Sequence, residues 1–306
     1  MKKNFLSILD FTKNDLFEAL DLALELKEKR KNEEFPELLP KKTLGMIFEK
    51  ASTRTRISFE TGMFELGGHA IFLNPNDMQL GRGEAICDTA KVLSRYLSVV
   101  MMRSNSHSTV EEIADNANIP VINGLSDKEH PCQILADILT MKEIFKDDLN
   151  KLKVVWIGDG NNVCNSLILS SVLTGYEVCV STPKGYEPDP EYIKNAQKAG
   201  GNVKYIEDPA KAAEDADVIY TDTWISMGSE AEKDSRLQAF SGYCVDENLL
   251  KNAKDGAVVM HCLPAHRGDE ITDSVMDGKQ SVVWQQAENR LHAQKALMVM
   301  LLGKNK

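Results

Sequence analysis

The sequence contains no long hydrophobic run and no cysteine pair of the kind that binds zinc. None of its six cysteines belongs to a Cys-x-x-Cys pair, and no cluster of histidine and cysteine has zinc-ligand spacing. No window of about 20 apolar residues exists, which argues against a membrane-spanning helix. Residues 1–10 lack the apolar core of a secretory leader, because Asp10 interrupts them. We therefore expect reduced thiols, no metal and a cytoplasmic protein.

Basic residues are scarce relative to acidic ones. The chain has 36 lysines and arginines against 46 aspartates and glutamates, a net charge of −10. A protein that binds nucleic acid through its surface needs a basic face, so this balance argues against that class. It does not exclude a small anionic ligand, because the charge of one pocket can oppose the charge of the whole molecule.

The length of the chain and its apolar segments predict two α/β domains. With 306 residues, the chain is too long for one typical core. Helical patterns separate short apolar runs, which is typical of parallel sheets. These runs are predicted strands in two groups, 44–48, 99–102 and 120–123, then 153–157, 178–180, 203–205, 218–220 and 258–260. We place the domain boundary along the helix that His130 opens, and we expect the apolar helix at 287–302 to return to the first domain.

A run of hydroxyl and guanidinium side chains, Ser52-Thr53-Arg54-Thr55-Arg56, lies where a strand ends and a helix begins. Free backbone N–H groups and the positive end of the helix dipole face outward at such a point. Two arginines in the first helical turn oppose that dipole, and a bound dianion would remove the conflict. The run therefore predicts a phosphate site rather than a serine cap followed by two solvated arginines.

A glycine turn, 158–162, follows the predicted strand at 153–157. It does not match a dinucleotide site, because Val163 occupies the third glycine position and the next strand ends without an acidic residue for a ribose. Asn161 and Asn162 offer amide donors and acceptors to a carboxylate or an amine. A tight turn of residues that tolerate left-handed backbone is an equally good interpretation.

Four motifs follow one another along the chain. They are Ser52-Thr53-Arg54-Thr55-Arg56, His130-Pro131-Cys132-Gln133, Asp222-Thr223-Trp224-Ile225-Ser226-Met227-Gly228 and His261-Cys262-Leu263-Pro264. Together they resemble the carbamoyltransferase superfamily over nearly the whole chain. The first two mark the superfamily, whereas Ser-Met-Gly and His-Cys-Leu-Pro mark its ornithine branch. The aspartate branch would show His-Pro-Leu-Pro at 261–264.

The resemblance implies that carbamoyl phosphate and L-ornithine react to give L-citrulline and phosphate, as in arginine biosynthesis, although the same residues would serve arginine breakdown. It implies an α/β fold of two doubly wound parallel-sheet domains joined by helices, with the active site in the interdomain cleft, completed by a neighbouring subunit of a homotrimer. Residues 1–134 with 286–306 would bind carbamoyl phosphate, and residues 135–285 would bind ornithine. No metal or organic cofactor is expected, because carbamoyl phosphate is already activated.

The resemblance also implies the ligands of carbamoyl phosphate. Donors of the 52–55 run would hold the phosphate, and Gln133 would bind the carbamoyl NH₂. The carbonyl oxygen gains negative charge as the amine attacks, and Arg103, His130 and Thr55 would donate to it as an oxyanion hole. The full predicted set is Ser52, Thr53, Arg54, Thr55, Gln79 of the adjacent subunit, Arg103, His130, Gln133, Cys262, Leu263 and Arg290.

Ornithine requires recognition at both of its ends. By the resemblance, Asn162, Ser226 and the backbone of Met227 would hold the α-amino and carboxylate groups. Asp222 and Cys262, with the Leu263 carbonyl, would position the δ-amine. The predicted catalytic residues are Arg54, Arg103, His130, Asp222 and Cys262. Two alternatives stay open: a carbamoyltransferase for another amine, such as aspartate, putrescine or N-acetylornithine, and a non-catalytic binding protein on the same fold.

Overall fold

The computed structural model describes residues 3–79, 83–225 and 230–303. The chain forms two compact units: unit 1 comprises residues up to Leu139 together with those from Glu288 onward, and unit 2 comprises Thr140–Ala287. Each boundary falls within a long helix, so helices join the units. The assignment of 1–134 with 286–306 and of 135–285 to the two substrates stays a prediction, as does the cleft. Within the described ranges, no helix is both long enough and apolar enough to cross a membrane.

Unit 1 is built on a parallel four-stranded sheet with the order β2-β1-β3-β4. Its strands are β1 (Thr43–Phe48), β2 (His69–Leu73), β3 (Val99–Arg103) and β4 (Val121–Leu125). Its helices are α1 (Lys13–Lys31), α2 (Thr53–Glu65), α3 (Ile86–Tyr96), α4 (His107–Asn116), the first part of α5 (Pro131–Phe145) and most of α12 (Val283–Leu302). The sequence prediction missed β2, which lies at the edge of the sheet. Its side chains are largely exposed, so it lacks the continuous apolar run of a buried strand.

Unit 2 contains a parallel five-stranded sheet with the order β7-β6-β5-β8-β9. Its strands are β5 (Lys153–Ile157), β6 (Glu177–Ser181), β7 (Asn202–Tyr205), β8 (Val218–Thr221) and β9 (Val258–His261). The helices that lie wholly within it are α6 (Asn162–Thr174), α7 (Pro190–Lys198), α8 (Pro209–Ala213), α9 (Lys233–Ala239), α10 (Glu247–Leu250) and α11 (Asp273–Met276). The prediction of two doubly wound parallel sheets is therefore confirmed.

The order of the strands places the motifs at the carboxyl ends of the strands in each sheet. In unit 1 the chain moves outward from β1 to β2 and then returns to the other side of β1 for β3. In unit 2 it does the same around β5, returning for β8. Ligands in such sheets bind beyond the carboxyl ends of the strands at this switch point. The loops after β1 and β5, and those after β3 and β8, are therefore the positions from which functional side chains are expected.

Candidate active site

The phosphate motif begins α2, as the sequence predicted. Ser52 is the N-cap, and its Oγ accepts a hydrogen bond from the Thr55 N–H at 3.3 Å. The first turn of the helix contains no acidic residue. Thr55 is buried, Arg54 is half-buried and Thr53 is exposed. The N-terminus of α2 thus combines uncompensated dipole charge with hydroxyl and guanidinium donors, which favours an anion.

Arg56 differs from the expectation that both arginines of this motif serve the anion. Its guanidinium lies 3.3 Å from Glu60 on the next turn of α2 and 4.1 Å above the ring of Phe72 on β2. One turn of helix separates Arg56 and Glu60, which is the ordinary spacing for a surface ion pair. Arg56 is therefore engaged on the exposed face of α2, and Arg54 stays the arginine of this motif that is predicted to contact the anion.

Thr55, Gln133 and Arg290 form a buried hydrogen-bonded set. Arg290 on α12 donates from Nη1 to Gln133 Oε1 at 2.6 Å and from Nη2 to Thr55 Oγ1 at 3.2 Å. The exposed fractions of the three residues are 1%, 2% and 3% in chain order. They are separated by up to 235 residues in the sequence. The fold therefore joins the α2 motif, the His-Pro-Cys-Gln motif and the C-terminal helix at one point.

His130 lies in a strongly positive environment. Burial, followed by the positive charges of Arg290, Arg103 and Arg54, holds the pKa of its imidazole well below the usual range. Arg103 is buried at the carboxyl end of β3 and His130 directly precedes α5. Near neutral pH His130 is consequently an uncharged imidazole, with one ring N–H to donate. The positive charge around His130 thus opposes the net charge of −10 of the whole chain.

Gln79 lies on an exposed segment after β2, and its carbonyl accepts a hydrogen bond from the Glu84 N–H at 3.1 Å. Within the described part of the chain, no hydrogen bond joins it to the set of Thr55, Gln133 and Arg290. The position agrees with an outward reach, and its role in an adjacent subunit stays a prediction.

In unit 2, Asp222 follows β8 and is held by two donors. Its Oδ2 accepts from Asn161 Nδ2 at 2.7 Å, and its Oδ1 accepts from the Thr223 N–H at 2.8 Å. Asn161 is also the N-cap of α6, because its Oδ1 accepts from the N–H groups of Val163 and Cys164. Asn162, which was predicted as an ornithine ligand, is the first residue of that helix. The sequence predicted that Asn161 offers its amide to a carboxylate or an amine, but not that its partner is Asp222, since nothing local reveals a group 61 residues away.

Gly160 is required here for close packing. A Cβ at this position would lie 2.1 Å from the backbone nitrogen of Pro188. The glycine turn thus admits a neighbouring loop, which gives a reason for the glycine that involves no nucleotide.

The His-Cys-Leu-Pro motif leaves β9 in an unusual conformation. Leu263 has φ of 60°, in the left-handed region that residues with a side chain rarely adopt. Its N–H donates to His261 Nδ1 at 2.9 Å, and His261 Nε2 lies 3.0 Å from Glu270 Oε1. Because Nδ1 accepts, the ring hydrogen is on Nε2 and is donated to Glu270. His261 and Glu270, both buried, thus hold the turn that presents Cys262 and Leu263.

Asp222, His261 and Cys262 offer ligand atoms that lie within 4.8 Å of one another, so they are a candidate metal-binding group. Both ring nitrogens of His261 already take part in hydrogen bonds, and a metal ion would have to displace Leu263 or Glu270. We therefore assign no metal to this group, and a reaction without metal stays a prediction. What the structure shows directly is that it brings Asp222 and Cys262 together.

Ser226 and Met227, the other predicted ornithine ligands, lie outside the described residues. Arg236 on α9, which follows these residues, is hydrogen-bonded to Trp224, which precedes them. Its Nη1 donates to the Trp224 carbonyl and to Asp159 Oδ2, both at 3.0 Å. Burial raises the pKa of Asp159 to about 6, although the charge of Arg236 opposes this shift. The sequence prediction missed the pair of Arg236 and Asp159, because one lies on α9 and the other in the loop after β5, 77 residues apart in the sequence.

Two family models match the two halves of the chain. The model for the carbamoyl-P binding domain of aspartate/ornithine carbamoyltransferase matches residues 3–143. The model for the Asp/Orn binding domain of the same family matches residues 150–301. The chain belongs to the aspartate/ornithine carbamoyltransferase family. The resemblance to carbamoyltransferases is therefore confirmed.

Similar members of the carbamoyltransferase family carry the name of the ornithine branch. An ornithine carbamoyltransferase of Methanoculleus marisnigri is 60% identical over 303 residues, which are 99% of this chain and 98% of that protein. One from Archaeoglobus fulgidus is 56% identical over 302 residues, 99% of this chain and 98% of that protein. The solved ornithine carbamoyltransferase from Pyrococcus furiosus has 51% identity and a TM-score of 0.94, covering 99% of this chain and 98% of that one.

Proposed function

We propose that this chain transfers the carbamoyl group of carbamoyl phosphate to the δ-amine of L-ornithine, giving L-citrulline and phosphate. The observation that carries the proposal is the neutral His130, surrounded by the charges of Arg54, Arg103 and Arg290, beside the buried set that includes Gln133. These residues lie in the segments matched by the carbamoyl-P model and in α12. The family membership and the ornithine carbamoyltransferase relatives support the same conclusion.

The carbamoyl phosphate half of the reaction requires anion binding and stabilisation of an oxyanion. The N–H groups and hydroxyls at the start of α2, together with Arg54, bind the phosphate and neutralise its charge as it leaves. Arg103 and His130 donate to the carbonyl oxygen, which becomes negative when the amine attacks. A neutral His130 suits this task, because it donates a hydrogen bond without adding a fourth positive charge to three arginines.

The ornithine half must supply an uncharged amine. An alkylamine has a pKa of about 10.4, so at pH 7.4 roughly one molecule in a thousand is the free nucleophile. That corresponds to about 4 kcal/mol if the protein does not help. Asp222 and the Leu263 carbonyl accept hydrogen bonds from the δ-amine and orient it together with Cys262, and the leaving phosphate takes up the proton.

This mechanism predicts that kcat/KM for ornithine rises from pH 7 toward pH 9, by up to about tenfold per unit as the free amine increases. Initial rates at saturating carbamoyl phosphate would measure it. A profile that stays flat over this range, with chemistry rate-limiting, would contradict selection of the neutral amine.

The activity itself is tested by incubating the protein with carbamoyl phosphate and, in separate reactions, L-ornithine, L-aspartate, putrescine and N-acetylornithine. We expect a ureido product from ornithine alone. Product from another amine would agree with the residues assigned to carbamoyl phosphate and would contradict those assigned to ornithine. Arg54→Ala should abolish turnover, whereas no product from the wild-type protein would favour a non-catalytic binding protein.

We also propose that the protein is a cytoplasmic homotrimer in arginine biosynthesis, without nucleic-acid or membrane partners, and that Gln79 completes the site of an adjacent subunit. An exposed apolar face on unit 1 supports self-association. Ile57 and Phe64 on α2 are 57% and 78% exposed, and Phe72 on edge strand β2, whose ring lies beneath the guanidinium of Arg56, extends the face. Apolar patches of this kind are uncommon on monomers.

Sedimentation of matched variants tests the trimer. We expect Phe64→Ser to shift the wild-type trimer toward monomer at low protein concentration. Phe35→Ser removes a phenylalanine that is 50% exposed and belongs to neither α2 nor β2, so it should sediment as wild type. A monomeric wild-type protein would contradict the proposal, as would equal behaviour of the two variants.

A further inference from the structure

The two ends of the Gln133 amide are fixed by the buried side chains of Asp137 and Arg290. Its Nε2 donates to Asp137 Oδ1 at 2.8 Å, and its Oε1 accepts from Arg290 Nη1 at 2.6 Å. Asp137 is fully buried and Gln133 is 2% exposed. Because a guanidinium only donates hydrogen bonds and the Asp137 oxygen accepts from the amide nitrogen, the two contacts fix one orientation of the amide. The reverse orientation would oppose NH₂ to guanidinium and oxygen to carboxylate.

The two fixing groups are placed by regular helices. Asp137 follows Gln133 by four residues on α5, so the two side chains lie on the same face of one rigid element. Arg290 is fixed in turn by Gln294, one turn further along α12. In the amide orientation that satisfies its neighbours, Gln294 accepts from Arg290 Nη2 at 3.0 Å and from Nε at 3.1 Å, and it donates to Ser58. Gln294 therefore helps to fix the orientation of Gln133 indirectly, by holding Arg290 in place.

We propose that Asp137 is a positioning residue that makes the site selective for a carbamoyl group over other acyl phosphates. The inference rests on the proposed function, in which Gln133 binds the carbamoyl NH₂. An amide oxygen has two lone pairs, so Gln133 Oε1 can accept from Arg290 and from the substrate N–H together. Acetyl phosphate shares the phosphate and the carbonyl but has a methyl group at that position. It therefore cannot use the oxygen that Asp137 holds in place.

The test compares the two phosphates as ligands of matched variants. In the wild-type protein and in Asp137→Ala, isothermal calorimetry gives Kd for carbamoyl phosphate and for acetyl phosphate. We expect the preference for carbamoyl phosphate to fall roughly 3- to 10-fold in Asp137→Ala, the range for one hydrogen bond, mainly through weaker carbamoyl phosphate binding. Asp137→Asn keeps an oxygen acceptor and should retain most of the preference. A general loss of packing would weaken both ligands and leave the ratio unchanged.

A double-mutant cycle separates action through Gln133 from any independent effect. Gln133→Ala should lower the preference as Asp137→Ala does, and the double variant should show no further loss, because residues that act through one contact are not additive. An unchanged preference in Asp137→Ala would overturn the proposal. So would a preference that falls further when Asp137→Ala is added to Gln133→Ala.

A control carboxylate and a milder variant complete the design. Asp15 is a buried carboxylate of unit 1 that accepts from Thr12 at the start of α1, and Asp15→Ala should keep the wild-type preference. If Asp137→Ala does not fold, Asp137→Ser supplies the same comparison with a smaller disturbance. Because the ratio is measured by binding, it is independent of whether ornithine is the acceptor. A failure of the proposed reaction and a failure of this inference are therefore distinguishable.

Discussion

At the residue scale, neighbours decide which chemical form of a side chain the site contains. His130 is kept neutral by burial and by three arginines, whereas Gln133 is oriented by a carboxylate and a guanidinium. Asn161 caps α6 with its amide oxygen and donates a hydrogen bond to Asp222 with its amide nitrogen. None of these properties belongs to the residue alone. Each follows from groups that arrive from other elements.

Removal of the His130 donor should lower the rate of the chemical step. We expect His130→Ala to reduce kcat by about 10²- to 10³-fold with little change in KM for carbamoyl phosphate, because the hydrogen bond strengthens as charge develops. Steady-state kinetics would measure both constants. His107→Ala is the matched control, since His107 is also buried in unit 1 but bonds Ser126. A change confined to KM would contradict the oxyanion role.

The two functions of Asn161 can be separated by substitution. Serine is as good an N-cap as asparagine, so Asn161→Ser should keep the stability of the protein to within about 0.5 kcal/mol. Its shorter side chain cannot reach Asp222, and we expect kcat/KM for ornithine to fall by about tenfold, the loss for a hydrogen bond to a charged group. Asn161→Ala should lose both, with about 1 kcal/mol of stability. If kcat/KM for ornithine is the same in Asn161→Ser and the wild type, the hydrogen bond from Asn161 to Asp222 does not contribute to catalysis.

At the element scale, α12 joins unit 1 through buried charge as well as apolar packing. Lys295 is fully buried and its Nζ lies 2.7 Å from Glu65 Oε2 on α2. Glu65 Oε1 accepts from Arg30 Nε of α1 at 2.8 Å. The three helices are thus connected by one carboxylate. The segment 287–302, apolar on nearly every side, predicted a buried helix that returns to the first domain, but it gave no sign that a lysine is buried with it.

Breaking this network from one side should be costly. Lys295→Met removes the buried cation and leaves Glu65 with the partly exposed Arg30, and we expect a loss of about 3 kcal/mol in the free energy of unfolding. Adding Glu65→Gln to Lys295→Met removes the unpaired charge and should restore part of that loss. Urea unfolding of the three proteins would measure it. If adding Glu65→Gln to Lys295→Met lowers the free energy of unfolding further, instead of restoring part of it, Lys295 and Glu65 do not stabilise each other as described.

At the scale of the whole molecule, buried histidines make stability depend on pH. Burial lowers the pKa of His107 and His130 and lowers that of His292 to about 4. Below pH 6.5 these three histidines therefore bind protons in the unfolded chain but not in the folded protein. The stability that these groups provide is therefore complete above pH 6.5 and is lost as the pH falls toward their folded pKa values. Asp159, whose pKa is raised to about 6, acts in the opposite direction.

His292→Asn should make the protein less sensitive to acid. Well below the unfolded pKa of about 6.5 and above about pH 4, a histidine with this folded pKa costs about 1.4 kcal/mol per pH unit. Near pH 6.5 the unfolded histidine is only partly protonated, so the wild-type protein should lose about 1 kcal/mol more stability than His292→Asn when the pH falls from 6.5 to 5.5, as measured by urea unfolding. His69→Asn alters an exposed histidine and should keep the wild-type slope. Identical slopes for all three proteins would contradict a depressed pKa for His292.

The sequence by itself determined the elements whose cause is local. Continuous apolar runs form the buried strands, and the hydroxyl at 52 caps a helix whose first turn lacks acid. The order of four motifs also determined the family, which the comparisons confirm. Each of these is a property of neighbours along the chain, so it can be read without knowing the fold.

Only the tertiary structure decided which side chains meet. Strand order brings Asn161 to Asp222, and α12 brings Arg290 to Thr55, across gaps of 61 and 235 residues. It also turned Arg56 away to Glu60 and Phe72, although the motif treats both arginines alike. The physical reason is that a hydrogen bond depends on distance in space, which for groups far apart in sequence is set by how strands and helices pack.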